Sequence, residues 1–218
     1  MDLSIATDIK LSLLRWLIGL SLGVLISILL AIINHIVFKK IKIISLLIDF
    51  FRAIPIIGLI PFVQTYLGIN EYSKIILIAW GVTFPVTITI NNSLNVILPN
   101  AELRLKGLNF DRINILKYYI IPKLTIGLIK GIDIGIGIAW LCVVAAEWIG
   151  TYSNGFWSGG LGYRLTVSYE RNEWTLLNSC LIIFGFLGLI TSYIWKKGLN
   201  YLFSKNNIFN PMQNILRN

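Results

Sequence analysis

Histidine occurs once, cysteine twice and methionine twice among the 218 residues. Cys142 and Cys180 both sit in apolar stretches and read as small packing residues, so there is no disulfide framework and no metal-ligand spacing. A GxxxxGK[ST] loop, an HExxH pair and a GxSxG elbow are all missing, which leaves nucleotide hydrolysis, zinc peptidase and serine hydrolase chemistry without their machinery. No catalytic residue, metal or cofactor is expected. Charge is scarce as well: 13% of the residues are Asp, Glu, Lys or Arg, against roughly 25% in a soluble domain. With 56% hydrophobic residues beside that figure, a water-soluble fold is nearly excluded.

The apolar residues are gathered into long runs, several exceeding the roughly 18 residues that argue for a membrane-spanning helix. Five are expected, over about 17–38, 55–69, 75–96, 124–146 and 176–195, giving an all-α membrane protein. They form one transmembrane domain over 1–198, followed by a polar cytoplasmic tail over 199–218. Asp2 and Asp8 stand where a signal peptide would be basic, so nothing looks cleaved.

The net charge of +9 invites a nucleic-acid partner, but the basic residues flank the apolar runs, and positive-inside bias explains them. Four lie within 39–52, five within 104–123 and four within 196–217, thirteen together, against five on the opposite side at 10, 15, 74, 164 and 171. That asymmetry puts the N-terminus outside and the C-terminus in the cytoplasm. Trp148, Trp157, Trp174, Tyr152, Tyr163 and Tyr169 then crowd the outer boundary, as amphipathic rings do at headgroup level. The stretch 150–174 is too polar for lipid and too glycine-rich for a regular helix, and is expected to fold over the outer mouth.

The fourth run holds Gly127, Gly131 and Gly135 at i, i+4, i+8, a stripe that lets another backbone approach closely. It serves either packing within the chain or a dimer or pore-lining face. Lys130 and Asp133 lie on the same helix. Eleven Ile, Leu and Val residues between Leu124 and Ala146 contribute roughly −5 kcal/mol to insertion and two central charges roughly +6 kcal/mol, so this helix is marginal alone in lipid. Their i, i+3 spacing allows them to pair, facing protein or a watery path; the other reading gives them a direct part in solute passage. Glu147, farther along, is expected at the outer interface, where ionisation costs little.

Between the third and fourth runs, Leu98-Pro99-Asn100-Ala101-Glu102-Leu103-Arg104-Leu105-Lys106-Gly107 specifies a short helix, with Asn100 as N-cap and Gly107 for the left-handed C′ turn. It is too short to be stable alone in water. It either rests on the bilayer or plugs into a soluble partner.

In this order the motifs resemble the permease subunits of bacterial ABC importers, above all the nitrate, sulfonate and taurine class. Leu14-Arg15-Trp16-Leu17-Ile18-Gly19, Phe51-Arg52-Ala53-Ile54-Pro55, Leu67-Gly68-Ile69, Trp80-Gly81-Val82-Thr83-Phe84-Pro85-Val86, Ala139-Trp140, Val144-Ala145-Ala146-Glu147 and Gly160-Leu161-Gly162-Tyr163 carry the likeness. The resemblance implies a core like that of the methionine permease, with about five transmembrane helices and a cytoplasmic coupling helix. The short helix aligns with the EAA loop, which in the family docks into a groove on the ATPase subunit. Gly107 and Tyr119-Ile120-Ile121-Pro122 match, whereas Ala101-Glu102-Leu103 carries its carboxylate one place late. Asp133 stands where the family usually has Arg, with Lys130 one turn earlier as compensation. The N-terminal span of many relatives is not expected here.

What the resemblance implies is a homodimeric permease in the inner membrane, with two ATP-binding subunits, an extracytoplasmic solute-binding protein and a small anion such as nitrate, a sulfonate, bicarbonate or cyanate as solute. The ATPase-coupling residues are then Ala101, Glu102, Leu103, Gly107 and Pro122; the translocation path or its packing involves Lys130, Asp133, Gly127, Gly131, Gly135 and Glu147. An autonomous ion-coupled transporter and a non-transporting anchor subunit are the alternatives, although the inverted repeat of broken helices that marks many of the former is missing.

Overall fold

A computed structural model describes residues 5–37, 42–95, 121–148 and 159–205. The described residues form helices and turns: α1 (Ile5–Val37), α2 (Lys42–Ala53), α3 (Ile56–Leu67), α4 (Glu71–Asn95), α5 (Ile121–Glu147), α6 (Leu161–Glu170) and α7 (Trp174–Lys205). Ala101, Glu102, Leu103 and Gly107 lie outside them. Pro122 is the second residue of α5, where its missing N–H costs nothing because the first turn has no internal acceptor.

Among the described residues four helices, α1, α4, α5 and α7, are long and apolar enough to cross a bilayer. The expected second crossing is built differently. Neither α2 nor α3, at 12 residues each, reaches more than about 18 Å at 1.5 Å per residue, short of the ~30 Å hydrocarbon layer. The two meet at a bend of 91°. Ile54-Pro55 causes the break: the ring removes an N–H and disfavours helical geometry at the preceding residue, and Pro55 adopts an extended φ, ψ of −68°, 129°.

Helix direction decides whether this bent pair crosses. Gly19 and Gly23 of α1 pack on Ile78 and Val82 of α4, and the Ser27 hydroxyl donates to the Thr83 carbonyl at 2.8 Å. Numbers rise together along both helices, so α1 and α4 are parallel. Parallel crossings require the chain to return between them, and α2 with α3 makes that return. Against α4, α5 runs antiparallel, with Gly127 beside Ile90 and Ser93 and Gly131 and Gly135 beside Val86. Among the described residues the bundle therefore has five crossings, the second one broken.

The α4–α5 seam explains the glycine stripe. A Cβ at Gly127 would come 2.9 Å from the Ile90 Cα, and one at Gly131 would come 2.9 Å from the Val86 Cγ1. The stripe is thus intrachain packing and not a dimer face, because α4 already fills it. Trp16 of α1 stacks on Trp140 of α5 with centroids 5.4 Å apart, and Trp140 donates its indole N–H to Thr191 of α7 at 3.1 Å. On α7, Leu181, Ile182, Phe186, Leu189, Ile190, Tyr193 and Ile194 stay exposed, the pattern of a lipid-facing helix. This helix runs on to Lys205, past Lys196-Lys197, so helical structure continues beyond the expected start of the tail at 199.

Two further expectations change. The glycine-rich stretch 150–174 contains a regular ten-residue helix, α6, because its glycines gather ahead of the helix at 159 and 160, and Gly162 sits where a side chain would meet the backbone of Val144. Arg52, grouped above with the cytoplasmic residues, stands at the break beside Trp80 and Phe84, near the middle of α4.

Candidate functional site

Polar side chains in an apolar bundle cost several kcal/mol unless they find partners, so their placement marks where structure or function demands them. Most of the buried ones converge at one end of the bundle, where α4 begins and α5 ends. Glu147, the last residue of α5, is fully buried. Its carboxylate accepts from the Ser12 hydroxyl at 2.8 and 3.0 Å, from Arg15 Nη1 at 2.8 Å and from the Gly162 N–H at 2.7 Å.

Arg15 is the hub. While Nη1 holds Glu147 and the Gly159 carbonyl, each at 2.8 Å, Nε and Nη2 form a fork on Glu71 at 2.7 and 2.8 Å. Glu71 also takes a bond from Lys74 Nζ at 2.8 Å, one turn along α4. Beyond this, Asp8 binds Arg164 Nε at 2.6 Å and the Gly160 N–H at 2.8 Å. Three carboxylates, Asp8, Glu71 and Glu147, thus meet three cations, Arg15, Lys74 and Arg164, and the cluster is balanced in charge.

Its geometry solves a backbone problem as well. The first N–H groups of a helix have no internal acceptor, and the N-cap of α6 is Gly160, which has no side chain to cap them. Instead Asp8 takes the Gly160 N–H, the Ser12 hydroxyl takes that of Leu161 at 2.9 Å, and Glu147 takes that of Gly162. Neighbouring helices cap α6, and the negative groups complement its N-terminal dipole. Gly160 has φ +108°, accessible to glycine alone at low cost, and a Cβ there would collide with Glu147. The cluster binds α1, α4, α5 and α6 into one unit.

Of the residues singled out from sequence, Glu147 is central, but buried and paired rather than cheaply solvated at an interface. Gly127, Gly131 and Gly135 belong to the α4–α5 seam. Lys130 and Asp133 are both exposed, on the face of α5 turned away from α4, with no ion pair between them among the described residues. Spacing brought them within reach of each other, but the side chains do not join.

Asp8, Ser12, Arg15, Glu71 and Lys74 were missed as a group, although a signal was present. Asp8, Ser12 and Arg15 recur at i, i+4, i+7, one polar stripe on an otherwise apolar helix. No spacing rule says which distant carboxylate such a stripe meets.

The model of the binding-protein-dependent transport system inner membrane component matches residues 23–203. An ABC transporter permease protein of Methanocaldococcus jannaschii is 34% identical over 167 residues, which cover 76% of this chain and 59% of that one. A protein named as an aliphatic sulfonates transport permease in Bacillus subtilis is 29% identical over 64% of this chain and 49% of its own length. The taurine transport system permease protein of Escherichia coli is 26% identical over 78% of this chain and 60% of its own. The chain therefore spans about half to three-fifths of these relatives. Among solved structures, an amino acid ABC transporter with histidines superposes with a TM-score of 0.67 at 14% identity, covering 94% of this chain and 100% of that chain. An inward-facing methionine ABC transporter gives 0.61 at 18% identity, over 90% and 93%. At those identities the likeness is one of fold.

Proposed function

The chain belongs to the binding-protein-dependent transport system inner membrane components, and from that membership we propose that it is the transmembrane permease subunit of an ABC importer. It forms the path for a small anion while separate ATP-binding subunits supply the energy and an extracytoplasmic protein delivers the solute. Two copies of the chain face each other across the path. The N-terminus lies outside, the C-terminus in the cytoplasm, and the Arg15–Glu147 cluster at the outer end.

The family match over 23–203 carries this reading; the preference for an anion draws on the sulfonate and taurine relatives. In mechanism, ATP-driven closure of the two ATPases moves the coupling helices, built on Ala101, Glu102, Leu103 and Gly107, and Pro122 at the base of α5 passes that motion to the span. The cluster makes the outer ends of α1, α4, α5 and α6 turn as one body, so a displacement at the base arrives undiminished at the outer gate. Lys130 and Asp133, exposed on α5, face the path or the second copy.

The test is reconstitution. Co-expressed with an ATP-binding subunit of an ABC importer from the same source, the chain is expected to co-purify with that subunit and to support uptake of taurine or methanesulfonate into proteoliposomes that requires ATP. Uptake driven by an ion gradient without ATP, or failure of the two subunits to associate, refutes it.

A further inference from the structure

Helix α5 has two faces with different surroundings. Gly127, Gly131 and Gly135 seat it on α4, while Lys130, Asp133, Ile134, Gly137 and Leu141 share the other side at helical spacing and stay exposed. Ile134 is 48% and Leu141 73% exposed, and a Cβ at Gly137 would meet nothing within 4 Å. The helix spans Ile121–Glu147, so Ile134 is its middle residue and Asp133 stands beside that midpoint. At about 1.5 Å of rise per residue, Lys130 lies about 6 Å from it. Both charges therefore stand in the central part of a crossing.

Lipid does not suit this face as it suits α7. Exposed mid-span positions of α7, such as Ile182, Phe186 and Leu189, and of α1, such as Leu22, Leu25 and Leu29, are hydrocarbon. An ammonium and a carboxylate at mid-depth persist against a counter-charge or water, and neither Lys130 nor Asp133 has an ion-pair partner among the described residues. What the face offers is a self-complementary pattern, one cation and one anion a turn apart. Two copies inserted with the same orientation are related by a two-fold axis along the membrane normal, so that residue i of one meets residue j of the other and j meets i. Lys130 and Asp133 differ in height by about 4.5 Å, a gap that the flexible four-carbon stem of lysine bridges. Gly137, one turn beyond Asp133, lets two helix backbones approach closely enough for the charges to meet.

We propose that this face of α5 is a contact between two copies of the chain, in which Lys130 of each copy binds Asp133 of the other. The two ion pairs lie on either side of the two-fold axis, and Ile134, Gly137 and Leu141 continue the contact above them. The interface deepens the permease reading and rests on it for the presence of a second copy, but the contact itself requires neither ATPase nor solute.

The test uses full-length chains in membranes. Copies carrying Lys130→Glu and copies carrying Asp133→Lys, each with its own affinity tag, are expressed singly and together. Each variant is expected to capture copies of itself at least tenfold less than native chains do, because four like charges then meet across the axis. The two variants are expected to capture each other nearly as well as native copies do, because the mixed pair restores opposite charges. A second measurement leaves both charges native. With Cys142 and Cys180 replaced, Gly137→Cys is oxidised with copper phenanthroline; a disulfide to its counterpart needs the two Cα atoms within about 7 Å. It is expected to form at least tenfold faster than from Ile182→Cys on the lipid-facing side of α7. Native self-capture by the Lys130→Glu copies overturns the pairing, as does a mixed sample no better than either variant alone. Gly137→Cys that reacts with a water-soluble methanethiosulfonate and forms no disulfide overturns the interface and assigns the face to a watery path. Mutual capture and cross-linking in a chain that supports no ATP-driven uptake keep the interface and overturn the permease reading; ATP-driven uptake with neither keeps that reading and overturns the interface.

Discussion

Replacing Glu147 tests the Arg15–Glu147 cluster most directly. In the pair with Arg15 the side chains are 0% and 4% exposed, and the distance is 2.8 Å. A pair this deeply buried costs about 3–5 kcal/mol when one partner is removed, since the other is left charged and short of acceptors. Glu147→Ala should lose that amount, together with the caps on Ser12 and Gly162. Glu147→Gln keeps the shape and one acceptor but exchanges a charge-assisted bond for a neutral one, a loss of about 1.5–3 kcal/mol. At about 2–4 °C per kcal/mol for a chain of this size, the glutamine variant melts about 3–12 °C lower and the alanine variant lower still. Cys142 and Cys180 supply the assay: both are buried free thiols, so a thiol-reactive fluorophore lights up as the purified chain unfolds. Glu170→Gln, an exposed site, serves as control and should stay within about 0.5 kcal/mol. The decisive quantity is the coupling between Arg15→Gln and Glu147→Gln in a double-mutant cycle, expected at about 1.5–3 kcal/mol. Should the two effects add within about 0.5 kcal/mol, the residues do not act as a pair and the account of the cluster is wrong.

Three other outcomes follow from the packing and the proposed coupling. Gly131→Leu should destabilise the α4–α5 seam by about 1–3 kcal/mol through overpacking, whereas Gly137→Ala, with nothing within 4 Å of its added carbon, should be neutral in the same thiol assay. Gly107→Val, which would block the left-handed turn expected from the sequence at 107 at a cost of about 1 kcal/mol or more, is expected to uncouple ATP hydrolysis from uptake; normal transport by this variant counts against the plug reading of 98–107. In a chain lacking Cys142 and Cys180, single cysteines at Thr7, Lys106 and Asn206 probed with an impermeant thiol reagent should be labelled from outside at position 7 only, and labelling at 106 from that side refutes the orientation.

Composition and run length carried the architecture, because hydropathy is a property of single residues summed along a helix. The glycine stripe was legible for the same reason: 127, 131 and 135 share a face at any depth. Which face meets which neighbour is a long-range fact. Lys130 and Asp133 have pairing geometry on paper, yet α5 turns them outward once its glycines seat on α4. Glu147 was expected to be cheaply solvated at an interface, but it is buried at the end of α5, since Arg15, Ser12 and the 159–162 turn close over it from far along the chain. The break was half visible: Pro55 was read as the start of a crossing, but the apolar stretch 43–51 before it was not taken as its first half.

The ladder of contacts at Asp8, Ser12 and Arg15 also sets a timetable for biogenesis. These residues of α1 are made long before their partners: Glu71 comes 56 residues after Arg15, Glu147 comes 132 after it, and Arg164 comes 156 after Asp8. At roughly 5–20 residues per second of synthesis, α1 waits about 8–30 s for its last acceptor and donor, holding an arginine and an aspartate in or near lipid meanwhile. During that interval the nascent chain is expected to depend on shelter at the insertion machinery, until the turn at Gly159–Gly160 that completes the cluster has been made. Slowed translation between 71 and 164 should therefore raise degradation of this chain far more than the same slowing after 174.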